Sequence, residues 1–272
     1  MSRIAAKFAA LKAEGRGALM PFLMAYDPDL ATSLDILRGM PEAGADLIEI
    51  GCPFSDPMAD GPTVQLSGQR ALKGGATLAG VIGMVSNFRL HDDATPIILM
   101  GYLNPILSYG AEAFCADARG AGADGLIIVD MPPEESQDVA PFATAQGLDL
   151  IRLIAPTTDD RRLPEVLRAC SGFIYYVAIT GITGTRSATS ADLALNIPRI
   201  RQHTDLPIAI GFGVRTPAQA AEAARVADGA VVASALIETL AGTLGPHGEA
   251  TAATSEAVLD DVRALAAAVR GG

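Results

Sequence analysis

Lysine is scarce in this chain of 272 residues: Lys7, Lys12 and Lys73 are all it has, and none stands where an apolar strand would end. Schiff-base chemistry, with a carbonyl substrate or with pyridoxal phosphate held on this chain, needs such an amine at the site, so a lysine-dependent aldolase is excluded. Histidine is equally sparse. His91, His203 and His247 fall far apart in loop or helix-end contexts, which removes the usual metal ligands and the usual general base and leaves them as surface residues. Cys52, Cys115 and Cys170 are odd in number, widely spaced and without a CxxC pair, so neither a disulfide framework nor a zinc site is supported, and Cys52 reads as a buried structural thiol. No apolar run reaches the ~18 to 20 residues that a membrane span needs. Lys7 and Lys12 interrupt any signal-peptide core near the start, and the chain reads as cytoplasmic. Clustered positive charge is missing too, and a net charge of −11 argues against nucleic acid or an anionic membrane as partner.

What is present is apolar and punctuated. Half of the residues are hydrophobic, with 28 glycines and 17 prolines, enough to bury a large core as one domain of the barrel kind. Short apolar runs at Ala18 to Met24, Asp46 to Gly51, Pro96 to Gly101, Gly125 to Val129, Asp149 to Leu153, Phe173 to Val177, Pro207 to Gly211 and Gly229 to Val232 alternate with amphipathic helical segments. Such runs suit parallel strands covered on both faces, with room for a crossover helix after each. Eight units predict an α/β fold, a (β/α)8 TIM barrel, with a doubly wound open sheet as the alternative. One domain spans 1–272: an N-terminal helix in 1–15, the barrel in 18–240 and a last helix in 254–270, capped by Thr254 or Ser255, with Val258, Leu259, Val262, Leu265, Ala266 and Val269 on one apolar face. Gly242 to Ala253 is the most loop-like and mobile piece. Ala43-Gly44-Ala45-Asp46, Ala121-Gly122-Ala123-Asp124 and Val226-Ala227-Asp228-Gly229 recur where helix passes into strand, and glycine there can end a helix in the left-handed conformation.

In such a barrel function sits at the C-terminal strand ends. Two chemical groups gather there. The acids are Glu49 among Leu47, Ile48 and Ile50, then Asp56 and Asp60 in the loop that follows, with Asp130 as a weaker candidate. A glutamate among apolar residues should have a raised pKa and carry a proton at neutral pH while a loop aspartate stays ionised, which gives two carboxylates different tasks. The second group is small: Gly181-Ile182-Thr183-Gly184, Gly211-Phe212-Gly213 and Ala233-Ser234. Glycines let backbone N–H groups approach an anion, and a helix N-terminus adds unsatisfied donors, so these form a candidate phosphate cradle without lysine. Carboxylate acid/base chemistry on a phosphorylated small molecule is what remains.

The phrases LIEIGCPFSDPMADGPTVQ at 47 to 65, PIILMGYLNPI at 96 to 106, GADGLIIVDMPPEE at 122 to 135, YYVAITGITGTR at 175 to 186 and PIAIGFGVRTP at 207 to 217 make the chain resemble the alpha subunit of tryptophan synthase. The resemblance implies a carbon-carbon lyase: retro-aldol cleavage of indole-3-glycerol phosphate into indole and glyceraldehyde 3-phosphate with no cofactor or metal on this chain. It assigns catalysis to Glu49 and Asp60. It places the indole against Phe22, Met100, Tyr102, Ile127, Tyr175 and Phe212, and the phosphate at Gly184, Gly213, Ala233 and Ser234. Thr183 would meet Asp60 when a lid from Thr183 to Ser190 shuts. Pro53, Asp56 and Asn104 would face a beta subunit carrying pyridoxal phosphate, in an allosteric α2β2 complex that passes indole directly to it for tryptophan synthesis. Two other readings stand beside this: a free-standing lyase, and a non-catalytic activator of a beta subunit, against which Glu49 and Asp60 count. Two departures from the family pattern bear on the site. Ala178-Ile179 stand where the family commonly has Ser-Arg, which puts the polar contacts that set lid position in doubt. Ala233 stands where it has glycine, and would be strained if that site required a positive φ.

Overall fold

A computed structural model of the chain describes residues 2–168, 170–178, 190–211 and 213–271, without the side chains of 190 and 191. Among the described residues the strands are β1 (Ala18–Met24), β2 (Ile48–Gly51), β3 (Ile97–Gly101), β4 (Gly125–Ile128), β5 (Asp149–Ile154), β6 (Ile174–Val177), β7 (Ile208–Gly211) and β8 (Gly229–Val232). They close into a barrel in sequence order, every neighbouring pair parallel, with β8 returning to β1. The expected barrel is thus observed and the open sheet is not. Several strands start one or two residues later than their apolar runs, because residues such as Asp46 and Pro96 still belong to the turns that enter them.

The helices are α1 (Arg3–Ala13), α2 (Leu30–Ala43), α3 (Pro62–Lys73), α4 (Leu78–Arg89), α5 (Leu103–Tyr109), α6 (Ala111–Ala121), α7 (Ala140–Ala145), α8 (Leu163–Arg168), α9 (Ser190–Arg201), α10 (Pro217–Val226), α11 (Ser234–Gly242) and α12 (Thr254–Gly271). None is long and apolar enough to cross a membrane. Their starts follow local chemistry: Asp29 accepts the Thr32 N–H ahead of α2, Thr77 accepts the Gly80 N–H ahead of α4, and Thr216 and Gln219 form a reciprocal capping box on α10. The apolar face expected of α12 is buried in full, and Thr254 is its first residue. The segment before it is held by hydrogen bonds from the Thr251 hydroxyl to the Thr243 carbonyl and from the Gly245 N–H to the Glu249 carbonyl.

The recurring helix-to-strand phrase splits into two roles. Gly44 and Gly122 end α2 and α6 at φ 109° and 99° as expected, but the third phrase has no left-handed cap: Ala227 is extended, and Gly229 is already the first residue of β8. The shared element is the aspartate. Asp46, Asp124 and Asp228 accept the N–H groups of Leu19, Ile97 and Ile208 from the neighbouring strand at 2.8–2.9 Å, and each also meets arginine. These carboxylates tie the N-terminal end of the barrel.

Side chains alternate across each strand. Ile48 and Ile50 pack outward under the helices, while Leu47, Ile98, Ile127, Ile151, Tyr175, Ala209 and Val231 fill the interior. Ile4, Phe8 and Leu11 of α1 join that inner cluster, with the Phe8 and Phe173 rings 5.8 Å apart. The N-terminal helix therefore plugs the bottom of the barrel, and the C-terminal strand ends remain as the open face.

Candidate active site

Glu49 lies on β2 between Phe22 of β1 and Ile98 of β3, and alternation turns it into the barrel with Leu47. It has no exposed surface, and among the described residues neither carboxylate oxygen has a hydrogen-bond partner. Burial alone pushes its pKa from 4.5 up to about 8. An unpaired buried carboxylate is costly, so at neutral pH this group is held mainly as the acid. Tyr175 on β6 is buried in the same interior, and its hydroxyl is pushed well up by burial and then by the charge of Glu49. Gly211 on β7 makes room for that ring.

Asp60 comes from the loop between β2 and α3, next to the Gly61 that precedes the helix. The Tyr102 hydroxyl accepts the Ala59 N–H at 3.0 Å and bonds the Asp60 carboxylate. The Phe54 ring leans on Tyr102 with centroids 5.3 Å apart, and the Gln65 side chain donates to the Asp60 carbonyl at 2.9 Å. Burial raises Asp60 to about 6, against the lowering effect of the Tyr102 bond. The expected difference between the two carboxylates is observed, but the loop aspartate is retuned as well. Near pH 7 one is mainly acid and the other mainly base.

Ile127 and Tyr175 lie in the barrel interior with Met100 packed against them, and Phe22 forms a rim cluster with Met24, Ala71 and Ile237. Gly213 sits at φ 84° after β7, a left-handed conformation that favours glycine. Ala233 has φ −119°, so the departure from glycine there brings no backbone strain, and Ser234 opens α11. Thr183, Gly184, Phe212 and Ile179 lie outside the described residues, as does most of the expected lid.

Two expectations need correction. Asp130 accepts the Leu103 N–H at 2.8 Å and so anchors the start of α5 rather than standing free for chemistry. Cys52 is half-buried, not sealed, although its surroundings raise the thiol. Asp56 and Asn104 are exposed and Pro53 is half-buried. The same surface carries Met58, 78% exposed, which sequence reasoning passed over although an apolar side chain in a Pro- and Asp-rich loop was the available signal. The Tyr102–Asp60 bond left no sequence signal, because the barrel brings two distant loops together. The histidines are exposed, and no cluster of three or more His, Cys, Asp or Glu among the described residues is placed to hold a metal.

The chain matches the family model for the tryptophan synthase alpha chain over residues 8–269. It is 66% identical to the tryptophan synthase alpha chain of Granulibacter bethesdensis over 270 residues, covering 99% of this chain and 97% of that one. Against the alpha chain of Acidiphilium cryptum it is 64% identical over 271 residues, covering 100% and 98%. Its fold superposes on the crystal structure of tryptophan synthase subunit alpha from Legionella pneumophila with a TM-score of 0.91 at 34% identity, both chains covered in full. On an aminoacrylate-bound tryptophan synthase from Mycobacterium tuberculosis the TM-score is 0.86 at 32% identity, covering 99% and 100%. With its buried carboxyl and its loop aspartate at the open end of an eight-stranded barrel, the chain belongs to the tryptophan synthase alpha chain family.

Proposed function

We propose that Glu49 and Asp60 are the catalytic pair of this lyase, which cleaves indole-3-glycerol phosphate to indole and glyceraldehyde 3-phosphate. The observation that carries the assignment is Glu49: fully buried, with no partner among the described residues, and raised to about 8. In its acid form Glu49 gives its proton to indole C3. The charge that develops on the ring spreads to the indole nitrogen, whose N–H is held by the Asp60 carboxylate. Glu49, now a carboxylate, removes the proton from the glycerol hydroxyl next to the scissile bond. That oxygen becomes the aldehyde carbonyl as the C–C electron pair returns to the ring, releasing indole and restoring the acid.

Ile127, Met100, Phe22, Tyr102 and Tyr175 supply the wall for the indole, and Gly213, Ala233 and Ser234 the neutral donors for the phosphate. Family membership implies a beta-subunit partner. We place it on the surface of Pro53, Asp56 and Asn104, in an α2β2 assembly in the cytoplasm, with pyridoxal phosphate on the beta subunit and none on this chain. The scarcity of lysine, with none of Lys7, Lys12 and Lys73 at a strand end, supports that division of chemistry. The test is indole release from indole-3-glycerol phosphate by the purified chain with and without a beta subunit. Slow turnover accelerated by the partner is the expected result; no turnover under either condition overturns the proposal.

A further inference from the structure

The phosphate cradle proposed above is made of uncharged groups, yet its ligand is an anion approaching −2 and the chain carries −11. The same rim holds Asp56, Asp60 and Asp130. The cradle therefore sits in a field that opposes its substrate, unless a cation stands close. Among the described residues the connections leaving the strands contain three arginines, Arg161 and Arg162 after β5 and Arg215 after β7. Arg162 is engaged with Glu134 and Glu165 beyond β5. Arg215 follows Gly213 by two residues.

The Arg215 guanidinium is ion-paired with Glu238. Glu238 lies one helical turn after Ser234 on α11, hence on the same side of the helix as the cradle serine. Its other carboxylate oxygen is 3.3 Å from the Thr63 hydroxyl on α3, the helix that begins just after Asp60. Glu238 thus links the loop after β7, which carries Gly213 and Arg215, to α11, which Ser234 opens. Both charged side chains are about half exposed, at 48% and 45%, and ion pairs this wet stabilise little. A dianion that accepts charge-assisted hydrogen bonds from the guanidinium competes well against such a partner.

We propose that Arg215 is a specificity residue for the phosphate of the substrate, and that Glu238 holds it in place while offsetting its charge. The proposal rests on the reading of Gly213 and Ser234 as the cradle. A clasp of purely structural value, tying the loop after β7 to α11, would suffer alike from loss of either partner. A charge acting on phosphate requires opposite effects.

The test is steady-state kinetics of the full chain with its beta subunit, following indole release from indole-3-glycerol phosphate. Arg215→Gln should raise KM by about 3- to 10-fold at low ionic strength, with the effect carried by KM rather than kcat, and the difference should shrink in about 1 M salt. Arg215→Lys should restore most of the loss. Glu238→Gln should lower KM, and inhibition by inorganic phosphate should follow the same order. Substitutions that move KM in the same direction, or an Arg215→Gln enzyme with unchanged KM, overturn the proposal. Ser234→Asp separates the two readings, since it places a carboxylate in the cradle. If it leaves KM untouched, the cradle itself has been misplaced and the role of Arg215 falls with it; if it raises KM while Arg215→Gln does not, the role of Arg215 alone is refuted.

Discussion

The Tyr175 hydroxyl lies 2.1 Å from the point where a Cβ on Gly211 would stand, with ring carbons at 2.2 and 2.3 Å. Tyr175 is 3% exposed, packed among strands of the barrel interior, so the ring cannot step aside without moving its neighbours. Gly211→Ala is expected to abolish most turnover and to destabilise the chain by about 1–3 kcal/mol through overpacking. Tyr175→Phe in that background gives no relief, because the clashing ring carbons remain. Tyr175→Val does. In a double-mutant cycle by urea unfolding, Gly211→Ala with Tyr175→Val should recover about 1–3 kcal/mol relative to the sum of the single changes. Additive losses would mean the barrel absorbs the methyl group elsewhere.

Glu49→Gln should remove turnover and leave the fold intact. Its effect on stability has a definite sign. Burial raises the folded pKa to about 8 from 4.5, so between those values the folded chain holds a proton that the unfolded chain has released. The stability from this group is complete below about pH 4.5 and declines as pH rises toward about 8, where the buried acid ionises. Glutamine is neutral throughout. The variant should therefore gain on the wild type with rising pH, by an amount on the order of a few kcal/mol at pH 9. Urea midpoints of both proteins at pH 5, 7 and 9 check this; parallel curves would show that Glu49 has a partner or solvent when folded.

The reaction as assigned needs Glu49 protonated and Asp60 ionised in the free enzyme. With the two groups at about 8 and about 6, kcat/KM should fall on both sides of a plateau between those values. Tyr102 lowers the Asp60 value by its hydrogen bond, so Tyr102→Phe should move the acidic limb upward and leave the alkaline limb in place. A pH profile of both enzymes decides it, since general damage to the pocket would lower the plateau without moving one limb.

The barrel was legible in sequence because its strands are buried on both faces and so appear as unbroken apolar runs, as Ala18 to Met24 does with every residue buried. Glu49 was legible for the opposite reason: it breaks such a run. The Asp60–Tyr102 bond, the crowding of Gly211 by Tyr175 and the meeting of Arg215 with Glu238 were not, since closure of the barrel joins residues that no local pattern connects. The repeated aspartate at the helix-to-strand turns was visible in the letters but was read through its glycine neighbours. Only strand pairing reveals that each carboxylate reaches the N–H of an adjacent strand.

That repeat yields a contrast between two aspartates at the same end of the barrel. Asp124 is 1% exposed and accepts the Ile97 N–H at 2.9 Å, Arg89 at 2.9 Å and Arg3 at 3.0 Å. Asp228 makes the equivalent backbone bond to Ile208, but its arginine, Arg201, is 43% exposed. Removing Asp124 leaves the Arg89 side chain, only 10% exposed, with the backbone carbonyls of Gly122, Asp92 and Thr95 but without its nearest carboxylate, whereas removing Asp228 leaves Arg201 to water. Asp124→Ala should cost about 3–5 kcal/mol, and Asp228→Ala clearly less, because an exposed pair contributes about 0–1 kcal/mol beyond the backbone bond. Both lie at the end sealed by α1, so turnover per folded molecule at low temperature should match the wild type in each. Urea unfolding beside indole release measures the two quantities separately. Equal destabilisation by the two substitutions would show that the strand N–H bond, not the buried arginine, carries the stability of this end.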